Sequence, residues 1–165
     1  MNIFVTDQSP ITSAKSLDNK RVVKMILESA QMLSTAVNIH GGEGPYRTAY
    51  KNHPCTIWAR ESRANFEWLL AHMQALSDEY TRRYNKTHKS SLHLPSLRQD
   101  AILIPEVTQT PFEICIQDHF RPTKDPIDGY RKCLTYKWFV TDKRKPEWPF
   151  GKPEWLETYR SILEV

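Results

Sequence analysis

The longest regular pattern in this chain begins just after Asp18. Val22, Ile26, Ala30, Leu33 and Val37 recur at spacings of three and four, which puts them on one face of a helix. Asp18 has the right chemistry for an N-cap, and Gly41-Gly42 supply a stop, so the pattern predicts a helix over 18–38. A second apolar series, Trp58, Phe66, Leu69, Leu70, Met73, Leu76 and Tyr80, predicts a helical region over 54–84 with a pause near Glu61. Pro54 suits a first helical position there, and Asp78–Arg82 and Glu79–Arg83 are supporting pairs four residues apart. A third helix is expected over 125–140, with Ile127, Leu134 and Trp138 facing inward, and a short one over 154–163.

The remaining stretches lack that period. Ile3-Phe4-Val5 reads as a short strand or an extended arm, followed by a turn-rich segment over 7–16. The stretch 85–124 reads mostly as loop, punctuated by Pro95, Pro105, Pro111 and Pro122, with Ile102-Leu103-Ile104 as its anchor to the core. The expected fold is therefore all-α: a single domain of three main helices joined by long irregular connections.

Composition narrows the class. At 165 residues the chain can bury one sizeable core but not two comfortable ones. No apolar run approaches the roughly 20 residues that cross a bilayer, and no basic-then-apolar leader opens the chain, so no membrane partner is expected. Cys55, Cys115 and Cys133 are odd in number and widely spaced, which points to free, mostly buried thiols in a reducing compartment such as the cytoplasm. A net charge of +4 permits a DNA or nucleotide partner without requiring one.

The polar side of the first helix holds the sharpest candidate chemistry. Arg21, Lys24, Glu28, Gln31 and Thr35 fall three or four apart, so one carboxylate sits among two cations and an amide. That set suits a site that holds a phosphate-bearing substrate and moves a proton, although the same spacing also makes an ordinary solvated face with a Lys24–Glu28 pair. Lys86-Thr87-His88-Lys89 is either a phosphate clamp or a set of cations complementing a helix C-terminus. In the tail, Trp148, Phe150 and Trp155 alternate with Lys143, Arg144, Lys145 and Lys152. Those aromatics either stack bases while the cations neutralise phosphates, or pack onto the core.

Other motifs exclude chemistry. His53-Pro54-Cys55 reads as a capping histidine and a buried cysteine rather than a nucleophile pair. His40, His53, His72, His88, His93 and His119 show no metal-binding spacing, so neither a metal nor a cofactor is expected. The absence of GxGxxG and of a P-loop removes the usual nucleotide-binding folds.

The order of these features resembles the pyrimidine-dimer DNA glycosylases of the endonuclease V type, small all-α repair enzymes of phages. The first helix carries the resemblance. Asn19 occupies the family's acidic position, Arg21 a histidine position, Glu28 the catalytic glutamate nine residues on, and Gln31 a DNA-contacting arginine. A glycine-containing loop and an X-Pro helix start follow, matched by His53-Pro54, and the tail Lys145-Pro-Glu-Trp-Pro-Phe-Gly-Lys152 echoes the family's closing pattern. The resemblance implies a phage-encoded DNA glycosylase and AP lyase. In that family an N-terminal α-amine attacks C1′ of the damaged nucleotide, the glutamate handles protons, and β-elimination cuts the strand. Asn2 is a poor context for removing the initiator Met, so the amine would belong to Met1, and Ile3-Phe4-Val5 lead us to expect a packed N-terminus. Two alternatives remain on the same fold. One is a pocket for a free nucleotide or nucleotide-like signal, hydrolysed or sequestered in an anti-defence role, with Arg21, Lys24, Lys86 and Lys89 on its phosphates. The other is a non-catalytic DNA-binding protein.

Overall fold

Two long helices carry the core of the computed structural model, which describes residues 1–116 and 124–163. In chain order the helices are α1 (Pro10–Lys15), α2 (Asn19–Ile39), α3 (Pro54–Glu61), α4 (Arg63–Tyr84), α5 (Leu94–Asp100), α6 (Pro126–Tyr136) and α7 (Leu156–Leu163), with no strand among the described residues. The fold is all-α, as expected. α2 packs along α4, α1 crosses α4, and α3 lies against α2. Val22, Ile26, Ala30, Leu33 and Val37 of α2 are fully buried, and Phe66, Leu69, Met73 and Leu76 of α4 meet them in one core. Truncating one such large aliphatic side chain to Ala costs about 2–5 kcal/mol. Among the described residues no helix is long and apolar enough to cross a membrane.

The expected pause near Glu61 is a break at Ser62, whose backbone is extended (φ −146°, ψ 132°). Its hydroxyl accepts from the Asn65 N–H at 3.3 Å, starting α4, and lies 2.8 Å from the carbonyls of Val107 and Thr108. Asn65 continues this seam by donating to the Trp58 carbonyl at 2.8 Å and accepting from the Thr110 N–H at 3.0 Å. The irregular segment 105–116 is thereby laid along α3 and α4 and led toward the N-terminus.

Several local expectations are corrected. The turn-rich stretch contains α1, which Pro10 opens and the Ser9 hydroxyl caps by accepting from the Thr12 N–H at 3.3 Å. The loop after α4 contains a 3₁₀ turn (Lys89–His93), then α5, then a second 3₁₀ turn (Ala101–Leu103). Its anchors are Leu94, Leu97 and Ile104, whereas Ile102 and Leu103 are exposed at 74% and 39%. Asp18 does stand at the N-cap position of α2, but its side chain caps nothing. Its carboxylate instead accepts from the Trp138 indole N–H at 2.8 Å, joining the start of α2 to a π-helical turn (Lys137–Thr141) that extends α6 to the expected end near Val140. Residues 117–123, which include His119 and Pro122, lie outside the described residues.

The loop after α2 is bound back onto that helix. Gly41 takes the left-handed conformation (φ 87°) that ends it. Gly44 passes so close that a Cβ would stand 2.6 Å from the Ser34 carbonyl oxygen, which explains a glycine there. Thr35, on the polar side of α2, accepts from the Ala49 N–H at 3.0 Å. This places Tyr50 and His53 beside the middle of α2.

Candidate functional site

The N-terminal arm ends against Glu28. Its amine lies 3.3 Å from Glu28 Oε1, and the Asn2 N–H donates to the same oxygen at 3.0 Å. Glu28 as a residue is nearly buried, 9% exposed, although it rises from the polar side of α2. The Met1 side chain is only 1% exposed and packs on the core, while the residue as a whole is half-buried. The exposed part of Met1 is therefore its backbone end. The expectation of a packed N-terminus holds for the thioether.

Asn2 sets this geometry. Its side-chain carbonyl accepts from the Ile3 and Phe4 N–H groups at 2.8 and 3.0 Å, and its amide donates to the Cys115 carbonyl at 2.8 Å. The chain then turns at Phe4, which adopts φ 57°, a conformation unusual for a bulky residue. The Phe4 ring is buried edge-on to Tyr130, with centroids 6.3 Å apart, so packing holds the strained residue in place. Sequence reading assigned Asn2 only an effect on Met removal. The structure makes it the clamp of the arm.

Two cavities open at the Met1–Glu28 pair, and both are lined by Met1, Lys24 and Glu28. The first, about 550 Å³, adds Phe4, His53, Cys115, Cys133 and Lys137. The second, about 470 Å³, adds Leu27, Gln31, Tyr50, His88 and Ser90. Each has the size of a small-molecule site. Burial lowers the His53 pKa, as does the positive N-terminus, while Glu28 opposes the shift, so the imidazole beside the amine is neutral near pH 7. Its Nδ1 accepts from the Cys55 N–H at 3.1 Å, the capping role expected of it. His88 caps in the same way, accepting from the Ser90 N–H at 3.1 Å, and burial lowers its pKa too. The Cys55 thiol donates to Cys115 Sγ across 3.3 Å, and that bond lowers the Cys115 pKa to about 7.

An amine against a carboxylate, with Lys24 and one neutral imidazole on the wall of each adjoining cavity, can do covalent chemistry. The amine becomes a nucleophile on giving up a proton, and Glu28 is placed to take it.

The other sequence candidates divide. Lys24, Gln31 and His88 line these cavities. Arg21 does not: it is 6% exposed, and its guanidinium holds Asp142 through two bonds of 2.7 and 3.2 Å, with Asp18 at 3.5 Å. Burial alone would lower its pKa, but the two aspartates raise it overall. Arg21 is corrected from a phosphate ligand to a structural cation. Lys86 and Lys89 are exposed beside His88 and line neither cavity. Lys145 lines a separate cleft with Lys20, Lys143 and Arg144, and Lys152 lines another with Lys15 and Arg131. Trp148 packs edge-on to Trp138 at 4.8 Å and donates its indole N–H to the Ser16 carbonyl at 2.9 Å, which corrects it from a base-stacking residue to a core anchor. His53 and Lys137 join the candidate site although sequence reading gave them no part in it. An imidazole next to a helix-starting proline was the available signal for His53, while Lys137 had none.

A family model described as pyrimidine dimer DNA glycosylase matches residues 1–92, more than half of the chain, covering α1 to α4 with Met1, Glu28, His53 and His88. No curated protein and no solved structure matches the chain.

Proposed function

Starting from the fact that this chain belongs to the pyrimidine dimer DNA glycosylase family, we propose that it is a DNA glycosylase and AP lyase that works through the Met1 amine and Glu28. The observation that carries this reading is the 3.3 Å approach of that amine to Glu28 Oε1 at an open cavity. Glu28 takes a proton from the ammonium, and the free amine attacks C1′ of the damaged nucleotide. The bond from C1′ to the base breaks, and its electrons leave with the base. Opening of the sugar ring gives an imine. Loss of a C2′ proton then expels the 3′ phosphate by β-elimination, and water releases the enzyme. Glu28 stabilises the cationic sugar and carries the protons between these steps. Lys24 and Lys137 supply positive charge for the flanking phosphates, and Asn2 holds the amine in register.

Borohydride trapping tests the reading. A covalent complex with abasic-site DNA is expected, with the adduct mapping to the Met1 amine. Reductive methylation at mildly acidic pH should block that amine before the lysines, because an α-amine has a reference pKa of about 7.7–8.0 against about 10.4 for lysine. Trapping should then be lost before DNA binding. Absence of any adduct in a protein that still binds DNA would refute the covalent mechanism.

A second reading has support in the cavity sizes. Volumes of about 550 and 470 Å³ also suit a free nucleotide, with Lys24 on its phosphate. No adduct, together with saturable binding of a nucleotide that Lys24→Ala weakens, would favour it.

A further inference from the structure

His53, Cys55 and Cys115 meet in the wall of the first cavity. One ligand atom from each lies within 4.8 Å of the other two, and the sulfurs are 3.3 Å apart. The fold assembles this group from distant segments. His53 and Cys55 stand at the start of α3, and Cys115 arrives on the segment 105–116. There the Cys115 N–H donates to the Tyr130 hydroxyl at 3.0 Å, and its carbonyl accepts from the Asn2 amide. The geometry points to a binding site for one zinc(II) ion, held by the His53 imidazole and the Cys55 and Cys115 thiolates, with its fourth position open to the cavity that contains Met1 and Glu28.

The donor set selects the metal. Two thiolates and an imidazole suit zinc and disfavour magnesium or calcium, which take oxygen. Zinc–sulfur bonds of about 2.3 Å at tetrahedral angles set the sulfurs about 3.8 Å apart. The pair at 3.3 Å therefore needs to open by only about half an ångström. Cys55 is buried, while His53 and Cys115 are half-buried and line the cavity, so the ion enters from that side. Three protein ligands and one open position is the arrangement of zinc sites that handle substrate, as opposed to closed structural ones. Binding releases the two thiol protons to solvent. It also replaces the hydrogen bond that His53 accepts from the Cys55 N–H with a metal bond, an exchange the stronger bond favours. The open position then takes water, or a phosphate oxygen of a bound substrate.

Cobalt(II) is the probe. Tag-free protein kept under a non-thiol reductant, without chelator, is titrated with cobalt and then with zinc. The expected result is one cobalt per chain, with a thiolate-to-cobalt charge-transfer band and the visible bands of a four-coordinate ion, all removed by zinc. Cys55→Ser and Cys115→Ser should each weaken binding by at least about tenfold and diminish the charge-transfer band. His53→Gln should weaken binding while the charge-transfer band persists. Wild-type protein that gives no thiolate charge transfer would overturn the proposal, whatever the variants do. So would bands unchanged in both serine variants, or recovery of the two cysteines as an intramolecular disulfide despite the reductant. The titration uses no DNA, so its failure would leave the imine mechanism standing, and failure of borohydride trapping would leave the metal site standing.

Discussion

Replacing Glu28 with Gln separates proton transfer from structure. Glu28 Oε1 lies 3.3 Å from the Met1 amine and accepts from the Asn2 N–H at 3.0 Å, and a Gln oxygen in the same place keeps the second of these contacts. The substitution removes the negative charge and the capacity to carry a proton, with little change of shape. Weakening charge-assisted bonds to neutral ones costs about 1 kcal/mol, which lowers Tm by about 2–4 °C in a chain of this size. General acid–base catalysis contributes about 10²- to 10⁴-fold, or about 3–5 kcal/mol of barrier. The two effects therefore differ enough to be read apart. Single-turnover cleavage of an abasic-site duplex, with enzyme in excess, should slow by at least about 100-fold while the melting curve barely moves. The abasic substrate skips cleavage of the base, so it isolates the steps after base loss. Turnover within a few-fold of wild type would remove Glu28 from the mechanism. A large fall in Tm would instead make its pairing with the N-terminus structural.

Three further outcomes are expected. Lys86→Ala with Lys89→Ala should weaken DNA binding and reduce the slope of log K against log salt by about 1 for each lysine that contacts phosphate; an unchanged slope and affinity would return both to helix-end cations. Trp148→Ala should cost about 3 kcal/mol of stability, because it strips the Trp138 contact and the bond to Ser16, yet leave DNA affinity unaltered; a selective loss of affinity would restore its base-stacking role. His72 is fully buried against Trp68 and its pKa is lowered by that burial to about 4. The unfolded chain therefore binds a proton below about pH 6.5 that the folded chain refuses until about pH 4, so this contribution is complete above pH 6.5 and about 3 kcal/mol is lost as pH falls through that window. Denaturant unfolding of His72→Phe should show a shallower loss than wild type between those values, and parallel curves would refute the assignment.

What the sequence disclosed depended on the range of the signal. α2 and α4 announce themselves over some twenty residues each, and the break between α3 and α4 is visible as a pause in the apolar series. α1 and α5 have six and seven residues, too few for a period to emerge, and proline reads as a loop marker in both. Glu28 stood out because it is the one acid on its face of the helix. Arg21 shared that face and was misread, because its partner Asp142 lies 121 residues away and spacing along one helix cannot reveal it. The cluster of His53, Cys55 and Cys115 was illegible for the same reason. Its cysteines lie 60 residues apart, and the seam from Ser62 to Thr110, with the bonds of Cys115 to Tyr130 and Asn2, brings them together.

Met1 bears on how much a first residue matters in imine chemistry. In the proposed mechanism the reacting atom belongs to the backbone, so the side chain beside it has only to leave the approach clear. A small residue achieves this by having little bulk. Here the thioether is drawn into the core and is 1% exposed, which clears the same space from a larger residue. Burial also gives the arm a hydrophobic anchor that a small residue would lack. The two ends of the clamp act on neighbouring bonds: the Met1 side chain fixes the chain inward, and Asn2 fixes it to Glu28 and to the Cys115 segment. An amine restrained on both sides loses less freedom on attack than one at the end of a frayed chain, and such restraint lowers a barrier without adding any new contact to substrate. On this argument Asn2 matters through the position of the amine. Its loss should therefore depress the rate of covalent trapping more than the affinity for DNA.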